Sequence, residues 1–427
     1  MKTITLINPP SNWMISDRDL IPLGILYLAS YLRVKGHKVK IIDLSGVNNY
    51  DTFINYAYIP DKRYGNIRNS DFIGISFVTP QVEEVEQIIG VVKSINPKAK
   101  LIAGGIHATA LPKETLEMGF DYVVRGEGEV VIDQILKNFP KIKSYNKNLI
   151  YTAVNELPFP SWDLIDMETY ISNIGVMDYL DKDKVREINM MASRGCNNHC
   201  RYCTMFKGIP RFRSVDNVIA EIKELQKLYG INRVSFCDDN FTMNGLWLYD
   251  LCKKIKHTGI KWHCLGRTDS SSNFLYKEMF ESGCIGIDFG IETGSQRLLD
   301  LINKNVTVKQ QENGIYSAYK AGLKVRAQLM IGLPQETDKS IKETCDFIKR
   351  SKKYVSKFGL HTFIPYPGCD IFNNPKKYSY KLNKDFSNYQ TCGKKGEWNY
   401  IPIDFKDKID EWRNKVLKVI GNKNIQK

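Results

Sequence analysis

Residues 193–203 read Ser-Arg-Gly-Cys196-Asn-Asn-His-Cys200-Arg-Tyr-Cys203, a C-x3-C-x2-C array on a loop that opens with glycine. The 427 residues hold ten cysteines, and none precedes Cys196. A disulfide framework would spread its cysteines along the whole chain; a tight cluster in a reducing compartment is the pattern of a metal-binding loop. Zinc sites usually draw four ligands from paired C-x2–4-C elements. Only three thiols are local here and no second pair follows. The spacing therefore points to a cubane iron–sulfur cluster on Cys196, Cys200 and Cys203, with one iron left open for a substrate or cosubstrate. His199, inside the loop, reads as a packing residue rather than a fourth ligand.

Beyond the loop, strand-like and helix-like segments alternate. Strands are expected over residues 187–192, 233–237, 261–265, 285–290, 324–330 and 359–364. Helices are expected over 215–229, 246–257, 274–282, from after Ser295 to about 321, and over 339–354. Six β/α units make a partial barrel, whose strand C-terminal ends collect polar residues on one face. Asp238, Asp239, Arg267, Asp269, Glu292, Ser295 and Gln328 stand at those ends with the thiol loop. Asp238, Asp239 and Ser295 also stand where helix caps commonly stand.

Before the loop, residues 3–7, 37–44, 72–78, 100–103 and 122–124 read as strands, and 20–36 and 80–96 as helices, the second with Val82, Val85, Ile88, Ile89 and Val92 at helical spacing. This alternation predicts an α/β domain built on a doubly wound parallel sheet, with its ligand at the strand C-terminal ends. Those ends carry Ser45-Gly46, Thr79-Pro80, Gly104-Gly105-Ile106-His107 and Arg125-Gly126-Glu127-Gly128. Glycines let such loops approach a large flat or phosphorylated ligand. No G-x-G-x-x-G follows the first strand, which argues against a nicotinamide or flavin dinucleotide.

Composition agrees with a soluble globular protein that has proper cores. Hydrophobic residues make up 43% and charged residues 25% of the chain, which excludes wholesale disorder, collagen-like repeats and a multi-span membrane protein. The longest apolar-rich stretch, residues 21–34, carries Pro22, Gly24 and Ser30 and falls short of the ~20 residues of a membrane helix. The first ten residues are no secretory signal, and a cytoplasmic protein is expected. The net charge of +14 is spread along the chain without an RNA-binding signature, which argues against a nucleic-acid partner. Near the C-terminus, Ile409, Trp412, Val416 and Val419 share one face of a helix over 407–420, expected to cover the open edge of the barrel; a membrane-surface helix is the lesser reading.

At this point the residues resemble the cobalamin-dependent (B12-binding) branch of the radical S-adenosylmethionine (SAM) enzymes, class B methylases in particular. The resemblance rests on the cysteine array with Tyr202 before its third thiol, on Glu292-x-x-Ser295, on Gly332-Leu-Pro-Gln-Glu336 and on Pro365-Tyr-Pro-Gly368. In the first module it rests on Asn8-Pro9-Pro10, Pro22-Leu-Gly24, Gly104-Gly105-x-His107 and Arg125-Gly-Glu127. Leu157-Pro-Phe-Pro160-Ser-Trp-Asp163-Leu in the linker adds to it. It covers roughly residues 1–372. It implies a cobalamin-binding Rossmann-like domain over residues 1–142, a linker over 143–185, a partial (β/α)6 radical SAM barrel over 186–372 and a short α-helical extension over 373–427. It implies a [4Fe–4S] cluster on the three cysteines and SAM held by Tyr202, Glu292 and Ser295, with Arg267 and Gln328 as further candidates. Cobalamin would lie against Pro9, Ser45, Thr79, Gly104, Gly105, Ile106, His107, Gly126 and Glu127. SAM would be cleaved to a 5′-deoxyadenosyl radical, with cobalamin carrying a methyl group to an unactivated carbon of a small-molecule, lipid or peptide substrate. A flavodoxin or ferredoxin would supply electrons, and peripheral membrane contact stays open.

Two departures stand out. The Asp-x-His-x-x-Gly that supplies a cobalt ligand in many cobalamin proteins is here Asp43-Leu-Ser45-Gly46. Cys369 follows Pro-Gly where the family often has threonine; with Tyr366 it is a candidate catalytic residue, and otherwise a small buried one. Ring closure or rearrangement without net methyl transfer is the alternative activity. A tRNA methylthiotransferase would need cysteines before Cys196, and an electron carrier would close its cluster with four ligands.

Overall fold

The computed structural model describes the chain except residues 12–13, 15, 47–66, 140–143, 147–148, 150, 172–184, 206–207, 383–385, 387–388, 390–405, 422–424 and 426–427. Parts of the expected linker and of the C-terminal extension thus lie outside the described residues. The chain forms two compact units. The first comprises residues 1–182, 366–368 and 384–400; the second comprises 183–365, 369–383 and 401–427.

The first unit is a six-stranded, all-parallel sheet in the order β2-β1-β3-β4-β5-β6. Its strands are β1 (Thr3–Asn8), β2 (Lys38–Asp43), β3 (Phe72–Ser76), β4 (Lys100–Gly104), β5 (Tyr122–Val123) and β6 (Ser144–Tyr145). β6, absent from the sequence reading, lies in the stretch expected to be linker. The chain order reverses between β1 and β3, the switch point at which such sheets bind ligands. Helix Leu23–Val34 starts only after Pro22, three residues later than its pattern suggested, because proline is tolerated at a helix start and not within it. Helix Val82–Ile95 turns Val85, Ile88, Ile89 and Val92 into a core with Ile7, Ile73, Ile75 and Phe120.

The second unit is an open, all-parallel sheet in the order β14-β13-β12-β11-β10-β7, each strand beside its sequence neighbour in the barrel. The strands are β7 (Glu187–Met190), β10 (Arg233–Phe236), β11 (Lys261–Gly266), β12 (Cys284–Glu292), β13 (Lys324–Ile331) and β14 (Lys357–Thr362). A small antiparallel pair, β8 (Ser193–Arg194) with β9 (Arg211–Phe212), is separate. One face of the sheet is polar although buried. Glu187 on β7 reaches His263 on β11 across the intervening strand (3.2 Å) and also pairs with Arg233 (3.3 Å). Asp288 and Arg326 pair at 3.3 Å. Contacts that skip a strand require the sheet to curve, with these side chains on its concave side.

The expected single helix up to residue 321 is instead two, Gln296–Leu301 and Val308–Lys320, separated by a turn in which Asn303 and Asn305 adopt φ of +54°. The terminal helix Lys406–Ile420 buries Trp412, Val416 and Ile420 on helix Asp338–Ser351 and on strands β13 and β14 at the open edge. Its apolar face is spent on the barrel, which corrects the membrane-surface reading. Among the described residues no helix is long and apolar enough to cross a membrane.

Candidate functional site

The cysteine loop is closed at its base by the β8/β9 pair, with Ser193 opposite Phe212 and Arg194 opposite Arg211. Gly195 leaves β8 at φ +86°, a conformation that favours glycine. Two acids at the end of β10 fasten this entry. The Asp238 carboxylate accepts the Ala192 N–H (3.1 and 3.2 Å) and the Ser193 hydroxyl (2.5 Å), and burial pushes its carboxyl up to about 6. Asp239 accepts the Gly195 N–H, and burial raises its carboxyl too. Neither caps a helix: helix Gly245–Ile255 is capped by Asn244, which accepts the Trp247 N–H at 3.1 Å.

The three thiols are free, Cys200 buried and the others half-buried. N–H groups attend each sulfur. Asn198 Nδ2 lies 3.3 Å from Cys196 Sγ, the Met205 N–H donates to Cys203 Sγ at 3.4 Å, and Arg267 Nη1 lies 4.0 Å from Cys200 Sγ. Donors at every sulfur suit thiolates that carry charge to iron. Among the described residues no three His, Cys, Asp or Glu side chains converge as on one metal ion. A cluster, with one thiolate per iron, fits three spread sulfurs where a single ion does not. Burial pushes the Cys203 thiol up to about 11, with the charges of Cys200, Asp239 and Cys196 adding to it, so its proton leaves when iron takes up the charge. His199 is exposed, and its carbonyl accepts from Asn303 Nδ2 (2.9 Å).

Beside the thiols, β12 ends in a register shift at Glu292, held at φ +66°. Glu292 Oε1 accepts the Tyr202 hydroxyl at 2.8 Å and Lys304 Nζ at 2.6 Å; Lys304 Nζ also donates to the Tyr202 oxygen at 3.0 Å. Burial and the Glu292 charge hold the Tyr202 hydroxyl well above its usual range. Arg267 is locked by both Asp269 oxygens (2.9 Å each) and donates to the Lys304 carbonyl at 2.7 Å. Ser295 is fully buried, yet among the described residues its Oγ finds no partner, and it does not cap helix Gln296–Leu301. A buried orphan hydroxyl is what a bound polar ligand would satisfy. Gln328 joins a different group: its Oε1 lies 3.1 Å from His361 Nε2, in space left by Gly359, whose added Cβ would meet that oxygen. In the second unit, Lys304 is a site residue that sequence reasoning missed. Tyr366 donates to the Tyr389 carbonyl (3.1 Å), and Cys369, fully buried, spends its Sγ on the Phe372 N–H at the start of a short helix.

In the first unit the loops at the strand ends are tied to one another. Gln81, unread in the sequence, donates to the Pro9 carbonyl (3.1 Å) and accepts the Val78 N–H (3.0 Å), joining the β1 and β3 loops at the switch point. Tyr170, likewise unread, donates to Asp43 Oδ2 (2.6 Å) and lies 3.0 Å from Ser45 Oγ. Thr79 Oγ1 and His107 Nδ1 are 3.1 Å apart, and burial lowers the His107 imidazole to about 4, keeping it neutral. His107 is enclosed, packed near Phe77 and Phe386. Gly105 serves packing, since its Cβ would lie 2.4 Å from the Phe77 carbonyl, and Ile106 begins the helix that follows it. Gly104 instead opens on space, with nothing within 4 Å of an added Cβ, the cradle a large ligand needs. The Gly126 N–H donates to Thr109 Oγ1 (3.0 Å), and Glu127 Oε2 accepts the Thr152 N–H (2.5 Å).

The sequence matches the radical SAM superfamily over residues 190–348 and the B12 binding domain over residues 16–136. An uncharacterized methyltransferase of Pyrococcus horikoshii is 32% identical over 394 residues, spanning 87% of this chain and 82% of the relative. The anaerobic magnesium-protoporphyrin IX monomethyl ester cyclase of Rubrivivax gelatinosus is 25% identical over 379 residues, 82% of this chain and 65% of the relative. Among solved structures, the radical SAM methyltransferase TsrM of Kitasatospora setae superposes with a TM-score of 0.68 at 16% identity, covering 88% of this chain and 76% of that one, a likeness of fold.

Proposed function

The chain belongs to the B12-binding branch of the radical SAM superfamily, and from that premise we propose that it is a methyltransferase acting on an unactivated carbon of a small organic substrate. When bound, a [4Fe–4S] cluster and cobalamin supply, respectively, the electron that cleaves SAM to a 5′-deoxyadenosyl radical and the methyl group to be transferred. Cys196, Cys200 and Cys203 hold the cluster. Tyr202, Glu292 and the orphan hydroxyl of Ser295 face SAM, and Arg267 steadies the loop from the Cys200 side. The loops after β1, β2, β3 and β4, opening at Gly104, receive cobalamin. An external protein such as a flavodoxin or ferredoxin delivers the electron.

One observation carries this reading: three thiols, each with its own N–H donor, stand on a loop whose Tyr202 hydroxyl is held by the buried Glu292 carboxylate at the end of β12 (2.8 Å). Protein purified anaerobically and reconstituted with iron, sulfide and hydroxocobalamin is expected to show corrinoid bands beside cluster absorption and to release 5′-deoxyadenosine from SAM under dithionite. Alanine at any of the three cysteines removes most of the iron and inorganic sulfide and stops that release, while the corrinoid bands persist. Zinc without sulfide in the parent protein overturns the cluster assignment. Loss of corrinoid with an intact cluster leaves a cobalamin-free radical enzyme. The Rubrivivax cyclase favours a second reading, ring closure without methyl transfer; label from the SAM methyl group appearing in product separates the two.

A further inference from the structure

Four consecutive residues, beginning with the last of helix Gln296–Leu301, grip the cysteine loop and its neighbour Arg267. The Leu301 carbonyl accepts Arg201 Nη1 (2.7 Å), and the Ile302 carbonyl accepts the Arg201 N–H (2.9 Å). Asn303 Nδ2 donates to the His199 carbonyl (2.9 Å), and the Lys304 carbonyl accepts Arg267 Nη2 (2.7 Å). The left-handed conformations of Asn303 and Asn305, which asparagine tolerates better than most residues, bend this turn inward. Lys304 is left only 5% exposed, with its ammonium on Glu292 and Tyr202.

We propose that Lys304 is a positioning residue of the SAM site, which ties the end of β12 to the cysteine loop by holding the Glu292 carboxylate and the Tyr202 hydroxyl on one ammonium. The proposal rests on the assignment of Tyr202 and Glu292 to SAM made above. A carboxylate buried without a counter-charge is costly, and the Lys304 ammonium at 2.6 Å supplies that charge. Both donors fall on Glu292 Oε1, and no hydrogen bond from the described residues reaches Oε2, which is left to accept from a ligand. The glycine at position 290 makes the arrangement feasible: an added Cβ there would lie 2.6 Å from Glu292 Oε1 and 3.1 Å from Lys304 Nζ. Lys304 thus acts through Glu292 and Tyr202.

The test uses the full-length reconstituted protein without reductant and measures the SAM Kd by equilibrium dialysis, with iron and sulfide content beside it. Lys304→Met is expected to keep parental iron and sulfide while the Kd rises about tenfold or more, as when one partner of a buried ion pair is removed. Lys304→Arg recovers most of the affinity, and Tyr202→Phe, which removes the two hydrogen bonds of the hydroxyl and no charge, raises the Kd about threefold to tenfold. Parental affinity in Lys304→Met overturns the proposal, as does a loss of affinity that only tracks a loss of iron and sulfide, since that marks loop support alone. Should Lys304→Met fail to fold, Tyr202→Phe decides: weakened binding with a full cluster supports the proposal, and parental binding overturns it. If the parent, with a full cluster, binds no SAM, the assignment of the site itself fails instead.

Discussion

Glu336 and Glu292 are both buried glutamates at strand ends of the second unit, and their surroundings set them apart. Glu292 has an ammonium at 2.6 Å. Glu336 Oε2 accepts the N–H groups of Gly332 (2.5 Å) and Leu333 (3.2 Å), and burial, outweighing these and the Arg297 charge, pushes its carboxyl up to about 8. It braces a turn in which Gly332 takes φ +85° and Gln335 φ +58°. Because its folded value lies above the ordinary 4.5, its favourable contribution to folding is full below about pH 4.5 and is lost as the pH rises through 8. Glu336→Gln keeps an acceptor for the turn and cannot ionise. Urea denaturation should find the variant and the parent equally stable near pH 4.5, and the variant more stable by ~2–4 kcal/mol at pH 9. A gap that does not change between those two pH values refutes the assignment of this titration to Glu336.

The turn between helices Gln296–Leu301 and Val308–Lys320 shows what an element can hide. Leu298, Leu299, Ile302 and Val306 continue an apolar pattern straight through it, so periodicity alone reads one helix. A local signal was available: Thr307 accepts the Gln310 N–H (3.1 Å) and Gln310 Oε1 accepts the Thr307 N–H (2.8 Å), a capping box that starts a second helix. The cysteines were legible because their chemistry lies in their spacing, and the longer barrel strands because β-branched and aromatic runs alternate with capped helices. Lys304 was not, since its partners Glu292 and Tyr202 stand 12 and 102 positions away. The two-residue strands β6, β8 and β9 are too short to carry a period. Asp238 and Asp239 were read at the right end of the barrel, but their hydrogen bonds to the entry of the cysteine loop were not legible in the sequence. The second of the two helices lies directly on the backbone after Arg267: a Cβ on Gly314 would sit 2.5 Å from the Thr268 carbonyl and 2.6 Å from its Cβ. Gly314→Ala should therefore destabilise the protein by ~1–3 kcal/mol in urea titrations, although alanine favours an exposed helix by about 1 kcal/mol over glycine. An equal or higher midpoint would mean that the helix can lift away without cost.

At the scale of the molecule, neither unit is one continuous stretch of chain. Residues 366–368 and 384–400 group with the first unit, while the segment from 401 to the C-terminus groups with the second. The second unit is an open sheet whose edge strand β14 would otherwise offer unpaired backbone and apolar side chains to other chains. Its own C-terminus covers that edge: Arg413 Nη1 donates to the Leu360 carbonyl (3.3 Å), and Ile425 forms a parallel bridge with Phe358. Trp412 anchors the cover, fully buried with Nε1 2.8 Å from Asp338 Oδ1. Lys408 and Lys415 also reach Asp338, at 3.4 and 3.6 Å, but all three are exposed, and such pairs are worth little. The anchoring is thus apolar. Trp412→Ala should lower the stability of the second unit by ~3–5 kcal/mol, Trp412→Phe by about 1–2, and neither loss should change between 0.1 and 0.5 M salt. Urea denaturation of parent and variants at the two salt concentrations reads this directly. A loss in Trp412→Ala that vanishes at high salt would place the anchoring in the lysine–Asp338 charges instead of in the buried indole.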